Sequence, residues 1–277
     1  MTAPHRPVIA LDLHGVTAAP AEVRKPIFEW VAPSELLIDP RYQRDLSEAS
    51  RRLIAKIVSG WDWRRYKPPV AVLTDAGLEL IDGQHTAIAA ASHPGIDEIP
   101  VMIVDAPELA QRAAAFIGHN RDRLAVSAAQ LHHAAVTAGD EDALTVEQVC
   151  QRAGIRILRG PPGRAFHAGE TVAIASIKVL VGRRGAKQAR EILEALVKAG
   201  RAPVTANDIK AAELLLTDPD YAAEMDPEVL AAAIVAAGLA AEQDAKLFAA
   251  AHRVPLWKAL GVTWFKKKGR ARKVEAA

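Results

Sequence analysis

Short apolar runs bounded by Gly, Pro and Asp alternate with stretches of helical periodicity through the first half of the chain. PVAVLT (69–74), LELI (78–81) and IPVMIVDA (99–106) predict three strands. Asp75, Ala76 and Gly77 predict a hairpin-like turn between the first two, and Gln84 opens a predicted helix over 84–92. Upstream, FEWVAPSELLI leads into DPRYQRDLSEASRRLIAKIVSG, where Leu53, Ile54, Ile57 and Val58 keep helical spacing behind Ser47 as N-cap. Residues 107–117 predict an amphipathic helix, HNRDRLAVS breaks it, and SAAQLHHAAVTAG predicts another. TVEQVCQRAG predicts a helix capped by Thr145. The prolines and glycines of RGPPGRAFHAGE bar a helix, and beyond them the pattern is helical over about 170–182, 186–199, 205–216, 226–237, 239–251 and 255–263. The expected class is α+β, a small mixed sheet with helices followed by an all-α region. The expected divisions are an extended arm over 1–27 with VIALDL as a candidate strand, a domain over 28–142 and a helical basic domain over 143–277.

A length of 277 residues suits one large or two ordinary domains. Half the residues are apolar and a quarter charged, as in ordinary globular chains. Cys150 is the only cysteine, which excludes an intramolecular disulfide and a Cys-rich zinc site and fits a cytoplasmic location. The N-terminal MTAPHRPVIALDLHG lacks the apolar core of a signal peptide. The longest stretch free of polar and charged side chains, VLAAAIVAAGLAA, is shorter than the roughly 18–20 residues a membrane span needs, so no membrane partner is expected. Charge is nearly balanced at +2 but uneven: residues 1–142 carry about −5 and residues 143–277 about +7. The latter include Arg183, Arg184 and Lys187 near one helix end, and Lys266, Lys267, Lys268 and Arg270 in the closing FKKKGRARKVEAA. These groups suit a solvated face or contacts to DNA phosphates.

Asp82, Gly83, Gln84, His85 and Thr86 crowd polar groups where a strand turns into a helix. A helix N-terminus presents amides without intrahelical partners and a partial positive charge, and glycine lets a ligand approach the backbone. The junction suits either a phosphate cradle or a plain capping turn. Asp82 and His85 are the candidate catalytic groups should the site carry chemistry. SGWDWRRYKPPV interleaves Trp61, Trp63 and Tyr66 with Arg64, Arg65 and Lys67, which suits base stacking or, more simply, a loop covering the sheet edge.

DGQHTAIAA resembles the phosphate-gripping turn of the ParB/sulfiredoxin superfamily, a Gly-x-His/Arg-Arg-x-x-Ala pattern, and also the DGQHR-type domains of bacterial DNA-modification and phage-associated proteins. IDPRYQRDLSEASRRLIAKI is similar to the upstream ParB box, with Gln43 and Arg44 as its polar pair. GHNRDRLAVSAAQLHHA looks like the downstream box, with Asn120 and Arg123 on its Asn and Arg. The resemblance spans about residues 30–140. It implies a ParB/sulfiredoxin-like fold, CTP or ATP with Mg²⁺ as cofactor, DNA as partner, a homodimer as one assembly, and a ParB-like role in a bacterial plasmid, phage or mobile element. The implied nucleotide or phosphate contacts are Gln43, Arg44, Gly83, Gln84, His85, Thr86, Asn120, Arg121 and Arg123. Departures stand out. Thr86 replaces the family Arg, His119 the family Glu, Asp122 the family Gln, and Gln84 sits where sulfiredoxin has its cysteine, which excludes that redox chemistry. A nucleotide hydrolase or nuclease using the same pocket is the alternative. LTVEQVCQRAG starts like a helix-turn-helix, but IRILR reads as a strand and the prolines bar a recognition helix over 155–165.

Overall fold

The computed structural model describes residues 7–20, 24–43, 45–122 and 125–268. The chain forms two compact units, Met1–Leu124 and Ala125–Ala277.

The first unit is built on strands β1 (Ile27–Val31), β2 (Leu36–Leu37), β3 (Val70–Thr74), β4 (Gly77–Asp82) and β5 (Ile99–Val104) in the order β1-β5-β3-β4-β2. The sheet is mixed: β3 pairs antiparallel with β4 and parallel with β5, while the edge strands β1 and β2 pair antiparallel with β5 and parallel with β4 respectively. Strand periodicity sends alternate side chains to opposite faces. Ala71 and Leu80 pack on one face with Ala87 and Ala90 of α2 (Gln84–Ala91). Val70, Val72 and Ile81 pack on the other with Ala115 and Phe116 of α3 (Leu109–Arg121). Burial on both faces is why these strands read as apolar runs rather than as alternation. Helix α1 (Glu48–Ser59) buries Ile54 and starts at Ser47, whose side chain accepts from the Ser50 amide.

The β4–α2 junction fixes where the helix begins. Gly83 has φ +91°, and a Cβ there would lie 2.8 Å from Cα of Pro69. Only glycine suits both the left-handed backbone and this approach.

The second unit holds α4 (Ala128–Thr137), α5 (Glu141–Arg152), α6 (Ile174–Lys198), α7 (Ala206–Thr217), the single turn α8 (Pro219–Ala222), α9 (Pro227–Ala237), α10 (Ala241–His252) and α11 (Leu256–Phe265). Its core includes Ile174, Ile177, Leu193, Leu196, Ile209, Leu230 and a fully buried Trp264. Gly185, with φ 74° and ψ 167°, interrupts α6, so the expected break between two helices is present there.

Several expectations need correction. Residues 7–20 contain no strand, and Val8, Ile9, Leu11 and Leu13 are exposed. Strands β1 and β2 lie within IFEWVAPSELLI (27–38), where the pattern predicts none. Helix α5 is capped by Asp140, which accepts from the Ala143 amide; Glu141 and Asp142 favour that earlier start through the helix dipole, and Thr145 bonds back to Glu141 O inside the helix. Glu170 and Thr171 form strand β7 against β6 (Arg156–Ile157), so α6 starts later than 170. The units part at 124/125 rather than 142/143, because α4 packs on α5 and α6 and places Ala129 in the helical core.

Glu170 ties the β6–β7 region together. The residue is 2% exposed and accepts from Arg164 Nη2 at 2.7 Å, Arg164 Nη1 at 2.9 Å and the His167 amide at 2.8 Å. The Arg164 bonds, then the His167 amide, hold its carboxyl at about 2, below the ordinary 4.5. A lowered folded pKa means that the ionised group stabilises the fold above its unfolded value and loses that contribution as pH falls toward the folded one. Glu170→Gln should therefore lower the midpoint of denaturant unfolding at pH 7, with the gap to wild type closing between about pH 4.5 and 2. Gly83→Ala should lose about 1–2 kcal/mol from the left-handed backbone alone, and more from the Pro69 contact, as measured by urea unfolding.

Candidate functional site

A hollow of about 220 Å³ opens where β4 turns into α2. Its lining comprises Gln43, Lys67 and Pro68, the run Asp82, Gly83, Gln84, His85 and Thr86, and Phe116 and Asn120. Segments well separated in sequence thus meet at one place.

Each arrives for a local reason. Residues 39–43 are latched to β4. Tyr42 Oη donates to Glu79 Oε1 at 2.7 Å and contacts Leu80 O at 2.9 Å, while Gln43 Nε2 donates to Ile81 O at 2.9 Å and Leu80 O at 3.2 Å. Glu79 is in turn held by Arg112 of α3, whose Nε lies 3.1 Å from Glu79 Oε1, and both residues are 8% exposed. Burial, then the Glu79 carboxylate, pushes the Tyr42 phenol upward, so it remains a donor across the ordinary pH range. Phe116 stands beside Tyr42 with ring centroids 5.8 Å apart.

The donors of the hollow follow from these bonds. The Gln43 amide nitrogen is committed to the β4 backbone, and Asn120 Nδ2 donates to Phe116 O of its own helix at 2.8 Å. Both position the wall and offer a ligand mainly their carbonyl oxygens. At α2, Gly83 supplies no side-chain cap, and the first intrahelical bond runs from the Ala87 amide to Gly83 O at 3.0 Å. The amides that open the helix, with His85, Thr86 and Lys67, form the polar floor. Asp82 is the only carboxylate among the described lining residues.

Lys67, Pro68 and Phe116 join the site without a sequence expectation that placed them there. The signal for the first two lies in the hairpin. Val70 of β3 pairs with Asp82 of β4, so residues just before β3 must stand beside residues just after β4. A second cavity of about 240 Å³ shares Lys67 and Thr86 with this one and is walled by Leu53, Ile57, Trp61 and Tyr66. Its aromatic residues pack on each other. Trp61 meets Trp63 edge-on at 5.3 Å and Tyr66 at 5.8 Å, and Tyr66 Oη donates to Pro100 O at 2.8 Å. Arg64 binds Asp62 at 2.9 Å. Trp61 and Tyr66 are thus partly buried in a packed cluster, while Trp63 stays exposed at its edge.

Of the other expected phosphate contacts, Arg121 is exposed, pairs with Asp122 at 3.2 Å and does not line the hollow. Arg44 and Arg123 lie outside the described residues, as does Arg270. His119 does not line the hollow either. Among the described residues no three or more His, Cys, Asp or Glu gather as a metal site.

In the second unit, Arg183 Nη1 donates to both Glu213 oxygens at 3.2 Å, and Arg184 Nε donates to Glu213 Oε1 at 2.8 Å. Lys187 is exposed. Lys268 pairs with Glu224 and stands over the Phe265 ring at 3.8 Å, while Lys266 lies 5.0 Å from the Phe248 centroid. Lys267 is half-buried. His132 is fully buried with Nε2 3.1 Å from Glu147, a structural position. Residues 155–165 carry only β6, so no recognition helix occupies them.

No helix among the described residues is long and apolar enough to cross a membrane. No family model matches the chain, and no curated protein does. Among solved structures, the chain is similar to the C-terminally truncated chromosome-partitioning protein ParB from Caulobacter crescentus in complex with CTP-gamma-S. The identity is 13%, the match covers 62% of this chain and 97% of that one, and the TM-score is 0.38. It is also similar to a Pnob8-like ParB-N domain at 12% identity, over 85% of this chain and 78% of that one, with a TM-score of 0.28.

Proposed function

We propose that the first unit grips the phosphates of a nucleotide at the Gly83 turn and that the basic second unit contacts DNA, as a ParB-like protein of plasmid, phage or mobile-element type would. The observation that carries this reading is the shared hollow. Gln43, the Gly83–Thr86 run and Asn120, which belong to three separate sequence boxes, line one concave site at an uncapped helix N-terminus.

The hollow, at about 220 Å³, is below the usual range for a small-molecule site of roughly 300–1,000 Å³. It suits phosphate groups, with the rest of the nucleotide reaching toward the adjoining cavity through the shared Lys67 and Thr86. Lys67 supplies the permanent positive charge of the described lining, and His85 and Thr86 add directional donors. Asp82, the one carboxylate of the described lining, would help hold a Mg²⁺ that arrives with the nucleotide phosphates. Bound there, it would neutralise phosphate charge. DNA contact draws on the charge of about +7 over residues 143–277. Arg183 and Arg184 keep donors beyond those given to Glu213, and Lys187, Lys266, Lys267 and Lys268 add to the field.

Calorimetric titration with CTP and with ATP, with and without Mg²⁺, tests the first half. Binding is expected, and Lys67→Ala should weaken it about tenfold, the worth of one charge-assisted hydrogen bond. No heat with any nucleotide refutes it. Phosphate release or DNA nicking that disappears in His85→Ala would favour the hydrolase or nuclease alternative. For the second half, fluorescence anisotropy on a DNA duplex should give binding that weakens steeply with salt. Replacing Lys266, Lys267 and Lys268 by Gln should flatten the log–log slope by about one for each phosphate that is no longer neutralised.

A further inference from the structure

The largest described cavity of the second unit, about 700 Å³, shares Arg183 and Arg184 with the proposed DNA-contacting face, but its apolar interior has no part in that reading. It lies among α6, α7, α8 and α11, within the size range of drug-like ligand sites. Its walls are mostly apolar, from Val179, Ile209, Leu214 and the half-buried indole of Trp257. Its charge is concentrated and unequal. Arg183, Arg184 and Lys210 face it against Glu213 and Asp218, which leaves an excess of one positive charge.

The anchor is Glu213, 6% exposed on α7. Its carboxylate accepts from Arg183 Nη1 at 3.2 Å and Arg184 Nε at 2.8 Å. Two guanidiniums therefore share one carboxylate. Their remaining N–H groups have no protein partner among the described residues. The Asp218 side chain is engaged elsewhere, accepting from the Asp220 amide at 3.0 Å. Glu213 thus holds both arginines in fixed orientation beside an apolar chamber while satisfying only part of their donor capacity. Guanidiniums with unused donors at the rim of an apolar cleft favour an anionic group there. A flat apolar body suits the walls and the Trp257 face.

We propose that this cavity is a binding site for a small amphipathic organic anion, one carboxylate or sulfonate on a flat hydrophobic body. The anion sits against Arg183 and Arg184, and the body lies along Val179, Leu214 and Trp257. The proposal is independent of nucleotide binding, which is read at Lys67 and His85 in the other unit.

The probe is 8-anilinonaphthalene-1-sulfonate, which carries both features, followed by fluorescence titration of the full chain. Saturable binding of one probe per chain is expected. Arg184→Gln should weaken it about tenfold through loss of a charge-assisted hydrogen bond. Ala175→Trp, at an exposed position on the lining, should abolish it by filling the chamber. Glu213→Gln should tighten it, because the carboxylate that competes for the arginines is neutralised, a sign opposite to that of a merely structural loss. Should Glu213→Gln fail to melt cooperatively, the other two variants decide. Binding unchanged by both Arg184→Gln and Ala175→Trp would overturn the proposal and assign the probe to exposed apolar residues such as Val8 and Ile9. Equal affinity for the uncharged N-phenyl-1-naphthylamine would overturn the anion-binding role.

Discussion

The first unit depends on one close approach, the backbone of Gly83 against Pro69. A Cβ on residue 83 would stand 2.8 Å from Cα of Pro69, and Pro69 is itself fixed because its carbonyl accepts from the Met102 amide at 2.9 Å. The chain leaving β4 therefore passes the chain entering β3 at a distance that only a residue without a side chain allows. From that crossing follow the start of α2, the direction of its first-turn amides and the placing of Lys67 and Pro68 beside them. A bulkier residue would force the helix start outward and open a gap between the amides and the wall that carries Gln43.

A second constraint acts from the other side. Glu79 lies inside the sheet and is 8% exposed, so its carboxylate needs partners. Arg112 from α3 and Tyr42 from the loop before α1 provide them. One buried acid on β4 thereby pins two elements distant in sequence, and Gln43 and Phe116 are carried into the hollow as neighbours of those pins. The polar network is what turns separate segments into one wall, since the apolar contacts on either sheet face would tolerate sliding.

What could be read from sequence tracks how local the physics is. The strands 69–74, 78–81 and 99–106, the cap at Ser47 and the break at Gly185 depend on neighbours a few residues away and agree with the structure. β1 and β2 do not stand out. They are edge strands, β1 has four of its five residues exposed, and β2 is two residues long, so neither shows a buried period. Thr145 reads as a cap because its side chain satisfies Glu141 O within the helix, and a threonine that does so is indistinguishable in sequence from one that caps. At the site, Gln43, Gly83 to Thr86 and Asn120 are legible as motif residues. The commitment of the Gln43 and Asn120 donors to backbone carbonyls is not, because sequence pattern carries no record of which donor each side chain spends on its own wall.

The two units hold charge in different ways, and that sets what each can attract. Around the hollow, the described lining carries one permanent cation, Lys67, and one carboxylate, Asp82. The first-turn amides of α2 and the Thr86 hydroxyl add oriented dipoles there, which act over one helical turn and fade beyond it. Residues 143–277 carry about +7 between them, a field that acts over a Debye length and weakens with salt. Buried acids shape even this field. Glu213 draws Arg183 and Arg184 together, and Glu170 does the same for Arg164 and Arg156. Four arginines of this half are thereby gathered in pairs at two buried carboxylates, so part of its positive charge is placed by where those acids lie rather than by the number of arginines and lysines alone.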